Sequence, residues 1–189
     1  MNDKNMLLYL FFKMRSVLLK SGKFQSLSDK IAERIKESYF FNQHKIICVY
    51  NHYDSVVLNN ILQDSSSYFK NTFVFPKLEG KNVSFYHVPD PKCLVFDEFG
   101  IKDVISGCFK IDISEIDVIL VPGTAFDYDG NRLNTYNNER LYNSFLSKTN
   151  ALKLGVCFDC QIYRRSLPES KQKIDCFITE EGVYTTVDI

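Results

Sequence analysis

Residues 117–133, DVILVPGTAFDYDGNRL, decide how this chain folds. The run 117–122 is apolar nearly throughout, as expected of a strand buried on both faces, and a Pro-Gly pair ends it. Asp127 and Arg132 follow among turn residues. Ligands of α/β sheets bind beyond the carboxyl ends of the strands. The segment therefore predicts both a central strand and a candidate binding loop.

Short β-branched or aromatic runs recur on both sides of this segment. Between several of them lie stretches of helix length, at 54–70 and 137–148. Strands that alternate with helices predict an α/β fold with a largely parallel, covered sheet, because parallel strands need long crossover connections. Prolines and glycines at turns within 72–96 predict a short antiparallel excursion. The other runs are KIICVY (45–50), TFVF (72–75), NVSFYHV (82–88), CLVF (93–96), LKLGVCF (152–158) and DCFIT (175–179).

Two helices are predicted before the first strand. Apolar residues recur at helical spacing over 7–18, which predicts an amphipathic helix. The second helix is expected to start near Ser26, where Ser-Leu-Ser-Asp offers side-chain oxygens for an N-terminal cap.

The composition is that of a globular protein, and 189 residues suit one domain spanning 1–189. With 23 Lys plus Arg against 23 Asp plus Glu, the net charge is zero, which argues against general nucleic-acid binding. No apolar run approaches the ~20 residues that span a bilayer. We expect a cytoplasmic monomer that binds neither nucleic acid nor membrane.

The six cysteines are expected to be free thiols. Cys48, Cys157 and Cys176 sit inside apolar, strand-like runs. Buried thiols that behave as small hydrophobic side chains explain this placement better than a disulfide framework does.

Two interpretations of the loop at 121–133 are open on spacing alone. Arg132 at the end of a buried strand suits a phosphorylated ligand, because a guanidinium pairs phosphate bidentately. The alternative is a structural turn in which Asp127 caps the loop and Arg132 pairs with it. Turn chemistry commonly uses these residue types, which favours the structural turn.

The same loop resembles a family signature. Val-Pro-Gly-Thr-Ala-Phe-Asp, then Gly130 and Arg132-Leu133, is similar to V-P-G-x-A-F-D-x-x-G-x-R-L-G-x-G-x-G-Y-Y-D of 5-formyltetrahydrofolate cyclo-ligase, also called methenyltetrahydrofolate synthetase. Nearly the whole chain takes part in the resemblance. The other similar segments are Val49-Tyr50, Phe75-Pro76-Lys77 with Phe85, Phe99 to Asp103, Gly155 to Phe158 with Gln161, and Ile174 to Glu180.

The resemblance implies a three-layer α/β/α fold and a ligase of folate and one-carbon metabolism. The implied enzyme uses ATP and Mg²⁺ to cyclise 5-formyltetrahydrofolate to 5,10-methenyltetrahydrofolate, releasing ADP and phosphate. No covalent protein nucleophile is needed. The protein positions the reactants and stabilises charge on the moving phosphoryl group.

Carried over residue by residue, the resemblance assigns Arg132 to the ATP phosphates and, with Tyr142, to the catalytic residues. Leu133 follows Arg132 in the nucleotide loop. Lys4 corresponds to a phosphate-binding lysine, although Leu8 stands where the family has arginine. Tyr142 matches the second tyrosine of Y-Y-D across a two-residue insertion.

The nucleotide loop departs from the family. Asn137 and Asn138 lie where loop glycines are expected, and they are assigned to nucleotide binding because Asn tolerates glycine-like backbone conformations next best. Asn143 and Lys171 replace two aspartates, the first of them a magnesium ligand in the family. The metal ligands are therefore unassigned, unless Glu139 or Asp127 compensates.

On the folate side, the resemblance assigns Tyr50, Asp54, Phe85, Asp103 and Tyr142 to substrate binding. Two functions follow. The first is an active ATP-dependent cyclo-ligase, favoured by the loop at 121–133. The alternative is a weakened folate- or nucleotide-binding relative that has lost the metal site, favoured by the replaced glycines and aspartates.

Overall fold

A mixed sheet of eight strands forms the centre of the molecule. The computed structural model describes residues 3–41, 45–50, 56–63, 70–80, 82–96, 102–104, 107–135 and 142–186. Its strands are β1 (Ile46–Cys48), β2 (Thr72–Glu79), β3 (Asn82–His87), β4 (Leu94–Phe96), β5 (Lys102–Val104), β6 (Lys110–Ile111), β7 (Val118–Val121), β8 (Ala125–Phe126), β9 (Arg132–Leu133), β10 (Leu152–Val156), β11 (Cys176–Ile178) and β12 (Val183–Thr185). The large sheet has the order β12-β11-β10-β7-β1-β2-β3-β6, while β4 pairs with β5 and β8 with β9.

The middle of the sheet is parallel. The strands β11, β10, β7, β1 and β2 all run in one direction. All residues of β7 are buried, as its apolar sequence predicts for a strand covered on both faces. The predicted α/β fold with a largely parallel central sheet is confirmed.

Both edges of the sheet are antiparallel. β12 pairs with β11 at one edge, and β3 and β6 extend the sheet beyond β2 at the other. The β2–β3 hairpin turns at Gly80, whose φ of +62° lies in the left-handed region that favours glycine. The predicted antiparallel excursion is confirmed, and β2 continues past the predicted TFVF to Glu79.

Two aspartates fasten the amino-terminal ends of the parallel strands. Asp117, just before β7, accepts a hydrogen bond from the backbone N–H of Ile46 at 2.8 Å. Asp175, just before β11, accepts one from Lys153 N–H at 2.7 Å. Each carboxylate satisfies an N–H at the start of a neighbouring strand. These two acids lie at the edge opposite to the one where α/β proteins bind ligands.

The first helix, α1 (Asp3–Lys20), is present where the sequence predicts one. Phe11 is its buried residue, whereas Leu10, Met14 and Val17 of the predicted apolar face are exposed. The expected amphipathic packing is therefore wrong for these three residues. Helical spacing locates a helix, but it does not show which side of a largely apolar helix is covered.

The second helix, α2 (Phe24–Glu37), starts before the predicted position. Lys23 is its N-cap and makes no side-chain cap. Ser26 lies inside the first turn and donates its hydroxyl to the Lys23 carbonyl at 3.0 Å, so the predicted Ser26 cap is wrong. At the other end, Arg34 donates to the Thr179 carbonyl at 2.8 Å and ties α2 to the end of β11. The helix α3 (Val56–Gln63) packs on α2, and residues 142–146 are also helical.

The main apolar core surrounds the central strands. Cys48, Cys157 and Cys176 are buried in it, and all six cysteines are free thiols, as the sequence predicts. Burial raises the pKa of the Cys48 and Cys157 thiols and brings that of Cys176 to about 12. These thiols therefore act as small apolar side chains.

Candidate functional site

The chain turns sharply at the carboxyl end of β7. Gly123 lies under the ring of Phe126, and a Cβ on this glycine would be 2.4 Å from that ring. The short hairpin of β8 and β9 then brings the chain back, with Thr124 N–H donating to the Leu133 carbonyl at 2.8 Å. The hairpin holds Arg132 beside the end of the central strand.

Asp127 holds the loop between β8 and β9. Its buried carboxylate accepts from the backbone N–H of Asp129 at 3.1 Å, Asn131 at 2.8 Å and Leu167 at 2.7 Å. A further bond at 3.0 Å comes from the Asn131 side-chain amide. Asp127 is thus the cap that the structural interpretation predicts. Because its oxygens already accept these N–H groups, it does not fit the role of a replacement magnesium ligand.

The Arg132 guanidinium is buried beside the strand end. It donates to the Pro122 carbonyl at 3.1 Å and to Asn143 Oδ1 at 3.4 Å. Its Cζ lies 5.4 Å from the centre of the Tyr142 ring, within the range of a cation–π contact. These contacts join the turn after β7 to the helical residues 142–146. A structural role for Arg132 thus runs through Pro122, Asn143 and Tyr142.

Tyr142 is buried at one end of a row of aromatic rings. Its ring centre lies 5.1 Å from Phe145, which packs edge-on against Phe85 at 5.3 Å. Burial raises the pKa of the Tyr142 hydroxyl well above its ordinary value, with Cys48 and Tyr50 as minor contributors. The phenol is therefore neutral across the physiological pH range.

A cavity of about 280 Å³ opens beyond the carboxyl ends of β1, β7 and β10. One wall is the inward side of α1, and the others are the strand ends and the segment after β9. Its lining is mixed, with aromatic rings beside hydroxyl, amide and backbone groups. The principal contributors are Phe11, Phe12 and Arg15 of α1, Phe24, Tyr50, residues 122–124, Asn134, Thr135, residues 156–158 and Gln161.

The structure brings only part of the predicted site to this cavity. Tyr50 lines the cavity, whereas neither Arg132 nor Tyr142 does. Arg132 donates to the carbonyl of Pro122, which does line it. Leu133 is buried in a small apolar cluster with Phe11, so its side chain has a packing role. Lys4 is partly buried in the first turn of α1.

Phe85 lies at a second cavity of about 420 Å³, formed with β6 and the helical residues 142–146. Asp103 belongs to β5, of which the backbone is described. Four further predicted positions lie outside the described residues, namely Asp54, Asn137, Asn138 and Glu139.

Three polar residues of the cavity were not assigned a role from the sequence. Gln161 donates to the carbonyls of Gly123 at 3.2 Å and Thr124 at 2.9 Å, and so fixes the turn. Asn134 donates to the Pro122 carbonyl at 3.3 Å. Arg15 could have been found by its helical spacing, because positions 4, 8, 11 and 15 share one face of α1.

The fit to magnesium is poor among the described residues. No group of three or more His, Cys, Asp or Glu side chains is gathered there in a way that could hold a metal ion. Asn143, where the family has an aspartate, contacts Arg132 instead. Among all the residues that the structure describes, no helix is both long enough and apolar enough to cross a membrane.

Fold and cavity together define an α/β protein with a cavity at the carboxyl edge of a largely parallel sheet, the place where such folds bind ligands. No protein-family model matches the chain. In sequence it is 30% identical over 136 residues to the "Probable 5-formyltetrahydrofolate cyclo-ligase" of Schizosaccharomyces pombe. The matched part spans 62% of this chain and 65% of that relative, just under two thirds of its length.

Solved structures are also similar. The 5,10-methenyltetrahydrofolate synthetase of Aquifex aeolicus superposes with a TM-score of 0.84 at 27% identity, over 98% of this chain and 94% of that one. The 5,10-methenyltetrahydrofolate synthetase of Mycoplasma pneumoniae, with a TM-score of 0.67 and 18% identity over 94% and 99%, shares the fold. The resemblance to 5-formyltetrahydrofolate cyclo-ligases is confirmed by these similarities in sequence and structure.

Proposed function

We propose that this protein is an ATP-dependent ligase that cyclises 5-formyltetrahydrofolate to 5,10-methenyltetrahydrofolate. The observation that carries the proposal is the turn at 121–133, which holds a buried guanidinium, Arg132, beside a cavity at the carboxyl end of the central strand. The similarity to the yeast and Aquifex proteins supports it. We place the enzyme in the cytoplasm, as a monomer of one domain.

The reaction has two bond-making steps. The formyl oxygen attacks the γ-phosphorus of ATP, the bond to ADP breaks, and the oxygen becomes part of a good leaving group. N10 then attacks the formyl carbon, and loss of phosphate and of the N10 proton gives the methenyl bridge. The chain's part is to hold both substrates in line and to stabilise charge on the phosphoryl group.

Several residues would perform this part. Arg132, which contacts the Pro122 carbonyl at the cavity wall, would stabilise the charge on the phosphoryl group, and the neutral Tyr142 ring lies 5.4 Å from its Cζ. Tyr50 offers an aromatic wall for the pterin. Lys4, Leu133, Asn137 and Asn138 belong to the nucleotide side, and Asp54, Phe85 and Asp103 to the folate side. The described residues do not fit Mg²⁺, so neither step depends on a metal held by these residues.

A second candidate function is that of a binding protein without turnover. The Asn143 amide accepts from Arg132 at 3.4 Å, where the family carries a metal-binding aspartate. A neutral amide binds a divalent cation less strongly than a carboxylate does. This observation favours a relative that retains folate or nucleotide and does not complete the phosphoryl transfer.

One experiment separates the two functions. Purified protein is incubated with 5-formyltetrahydrofolate, ATP and Mg²⁺, and the near-ultraviolet absorbance of the methenyl product is followed. The proposal predicts product that depends on ATP. No product at micromolar protein, with folate binding retained in calorimetry, would establish the binding protein instead.

A further inference from the structure

The turn after β7 brings a hydroxyl group to the cavity. Thr124 lines the cavity next to Gly123, whereas the following residue, Ala125, is fully buried. In the signature V-P-G-x-A-F-D, Thr124 stands at the variable position, so the resemblance assigns it no role. This chain therefore places a polar group where the signature requires none.

The backbone of Thr124 is fixed on both sides. Its N–H donates to the Leu133 carbonyl at 2.8 Å, and its carbonyl accepts from Gln161 Nε2 at 2.9 Å. Gln161 is itself buried, and its Oε1 accepts from the Phe158 N–H at 3.1 Å. A threonine side chain has few χ1 rotamers because its Cβ is branched. The hydroxyl is thus held within a small range of positions at the cavity wall.

The side-chain amides of the lining are engaged with the protein, and the Thr124 hydroxyl is not. Asn134 donates to the Pro122 carbonyl at 3.3 Å, and its Oδ1 accepts from the Thr135 N–H at 2.9 Å. Gln161 is likewise bonded at both ends of its amide. The Thr124 hydroxyl forms no hydrogen bond with any residue that the structure describes. It can therefore bind a ligand without giving up a bond within this part of the protein.

The apolar part of the lining suits a flat heterocycle. Aromatic rings come from α1, α2 and the segments after β1 and β10, namely Phe11, Phe12, Phe24, Tyr50 and Phe158. A heterocycle that lies among such rings needs polar partners only at its edge, where its ring N–H and carbonyl groups are. A hydroxyl both donates and accepts, so it can pair with either group.

We propose that Thr124 is a specificity-determining residue, whose hydroxyl hydrogen-bonds to the N–H or carbonyl edge of the pterin ring of 5-formyltetrahydrofolate. The inference rests on the proposed function, which supplies this substrate. A site that hydrogen-bonds a polar group of its ligand discriminates strongly, because the group left without a partner keeps its desolvation cost. Thr124 thereby adds a polar contact to a site whose other walls are largely apolar.

The test measures binding of 5-formyltetrahydrofolate and of ATP by calorimetry. Thr124→Val replaces the hydroxyl by a methyl group and keeps the branched Cβ. The matched control is Thr185→Val, at an exposed position of the edge strand β12. We expect Thr124→Val to weaken 5-formyltetrahydrofolate about 5- to 20-fold, as for one lost hydrogen bond, and to leave ATP within about twofold. Thr185→Val should bind both as wild type does.

A second pair of variants isolates the hydroxyl if Thr124→Val fails to fold. Thr124→Ser and Thr124→Ala both lack the methyl group, and only Thr124→Ser keeps the hydroxyl, so it should bind 5-formyltetrahydrofolate more tightly. Equal affinities of these two variants, an unchanged affinity in folded Thr124→Val, or a loss confined to ATP overturns the inference.

Product formation by wild type decides the proposed function separately. A wild type that binds 5-formyltetrahydrofolate and forms no product contradicts the proposed activity, while the affinity of Thr124→Val still decides the role of the hydroxyl. A wild type that does not bind 5-formyltetrahydrofolate overturns the inference.

Discussion

At the scale of single residues, the loop at 121–133 bears out one half of its structural interpretation, since Asp127 caps the loop but Arg132 bonds to Pro122 and Asn143 and not to Asp127. Asp127 is a loop cap that satisfies several N–H groups, while Arg132 joins the strand end to a helix through Pro122 and Asn143. The two charges lie five residues apart in the sequence and have different partners. Substitutions at the two positions therefore have different consequences.

Asp127→Asn should destabilise the fold. One carboxylate oxygen of Asp127 is replaced by an NH₂ group, which cannot accept a hydrogen bond. Buried N–H groups of the loop are then left without an acceptor, and the free energy of unfolding falls by about 2–3 kcal/mol. Urea unfolding measures the loss. The matched control is Asp129→Asn, where an exposed carboxylate accepts one Ser166 hydroxyl at 3.1 Å, and we expect a change within about 0.5 kcal/mol. Equal effects at both positions would contradict the cap.

Arg132→Ala should lower both nucleotide affinity and stability. Loss of a charge-assisted phosphate contact weakens ATP binding by about 1.5–3 kcal/mol, and loss of the bond to Pro122 destabilises the fold by about 1–3 kcal/mol. Calorimetry and urea unfolding measure the two effects. Arg165→Ala, at an exposed position, is the control. Reduced stability with unchanged ATP affinity would restrict Arg132 to its structural contacts.

At the scale of elements, the antiparallel edge has its own electrostatic cluster. Glu79 near the end of β2 accepts from Lys110 of β6 at 2.7 Å, from the Ser84 hydroxyl at 2.6 Å and from the Tyr86 hydroxyl. The bonds from Lys110, Ser84 and Tyr86 lower the pKa of the Glu79 carboxyl to about 2. The cluster thus links three strands outside the parallel core.

This depressed pKa predicts an acid-sensitive edge. The pKa of Glu79 lies below its ordinary value of 4.5, so the stabilisation is complete above pH 4.5 and is lost as the pH falls towards 2. Melting temperatures between pH 6 and 2 should fall more for wild type than for Glu79→Gln. Glu169→Gln, at an exposed site, should follow wild type. Parallel curves for wild type and Glu79→Gln would contradict the prediction.

Sequence patterns located the long elements better than the short ones. β7 and β10 are apolar runs that only a covered sheet accommodates, so their sequence was sufficient. β8 and β9 are two-residue strands fixed by tertiary bonds such as Thr124 N–H to Leu133, and no local pattern marks them. The start of α2 was placed late because a Ser-rich segment need not act as a cap.

The candidate site was predictable where a motif defines it and not where packing does. Arg132 and Tyr142 came from the signature, and they do lie together. Phe85 came from the same resemblance but lines the second cavity, because strand register set its direction. Arg15 was missed, since a charged residue on a helix is most often solvated, and only the docking of α1 turns it inward.

At the scale of the whole molecule, the buried thiols report on global unfolding. Cys48 and Cys176 are enclosed by the core and have raised pKa values, so they should react with a thiol reagent only when the protein unfolds. Mass spectrometry after timed alkylation measures each site. Cys93, which is partly exposed, should react first and serves as the internal control. Comparable rates at all three sites would contradict a single closed core.

Helix α1 is attached to the remainder of the protein mainly through Phe11 and its neighbours, yet it forms a wall of the cavity. Any molecule that fills the cavity also touches α1 and adds to its attachment. Occupancy and docking of the helix are consequently thermodynamically linked. A substitution that loosens α1 should therefore weaken ligand binding, and the loss in binding free energy should equal the free energy by which the bound ligand stabilises the docked helix.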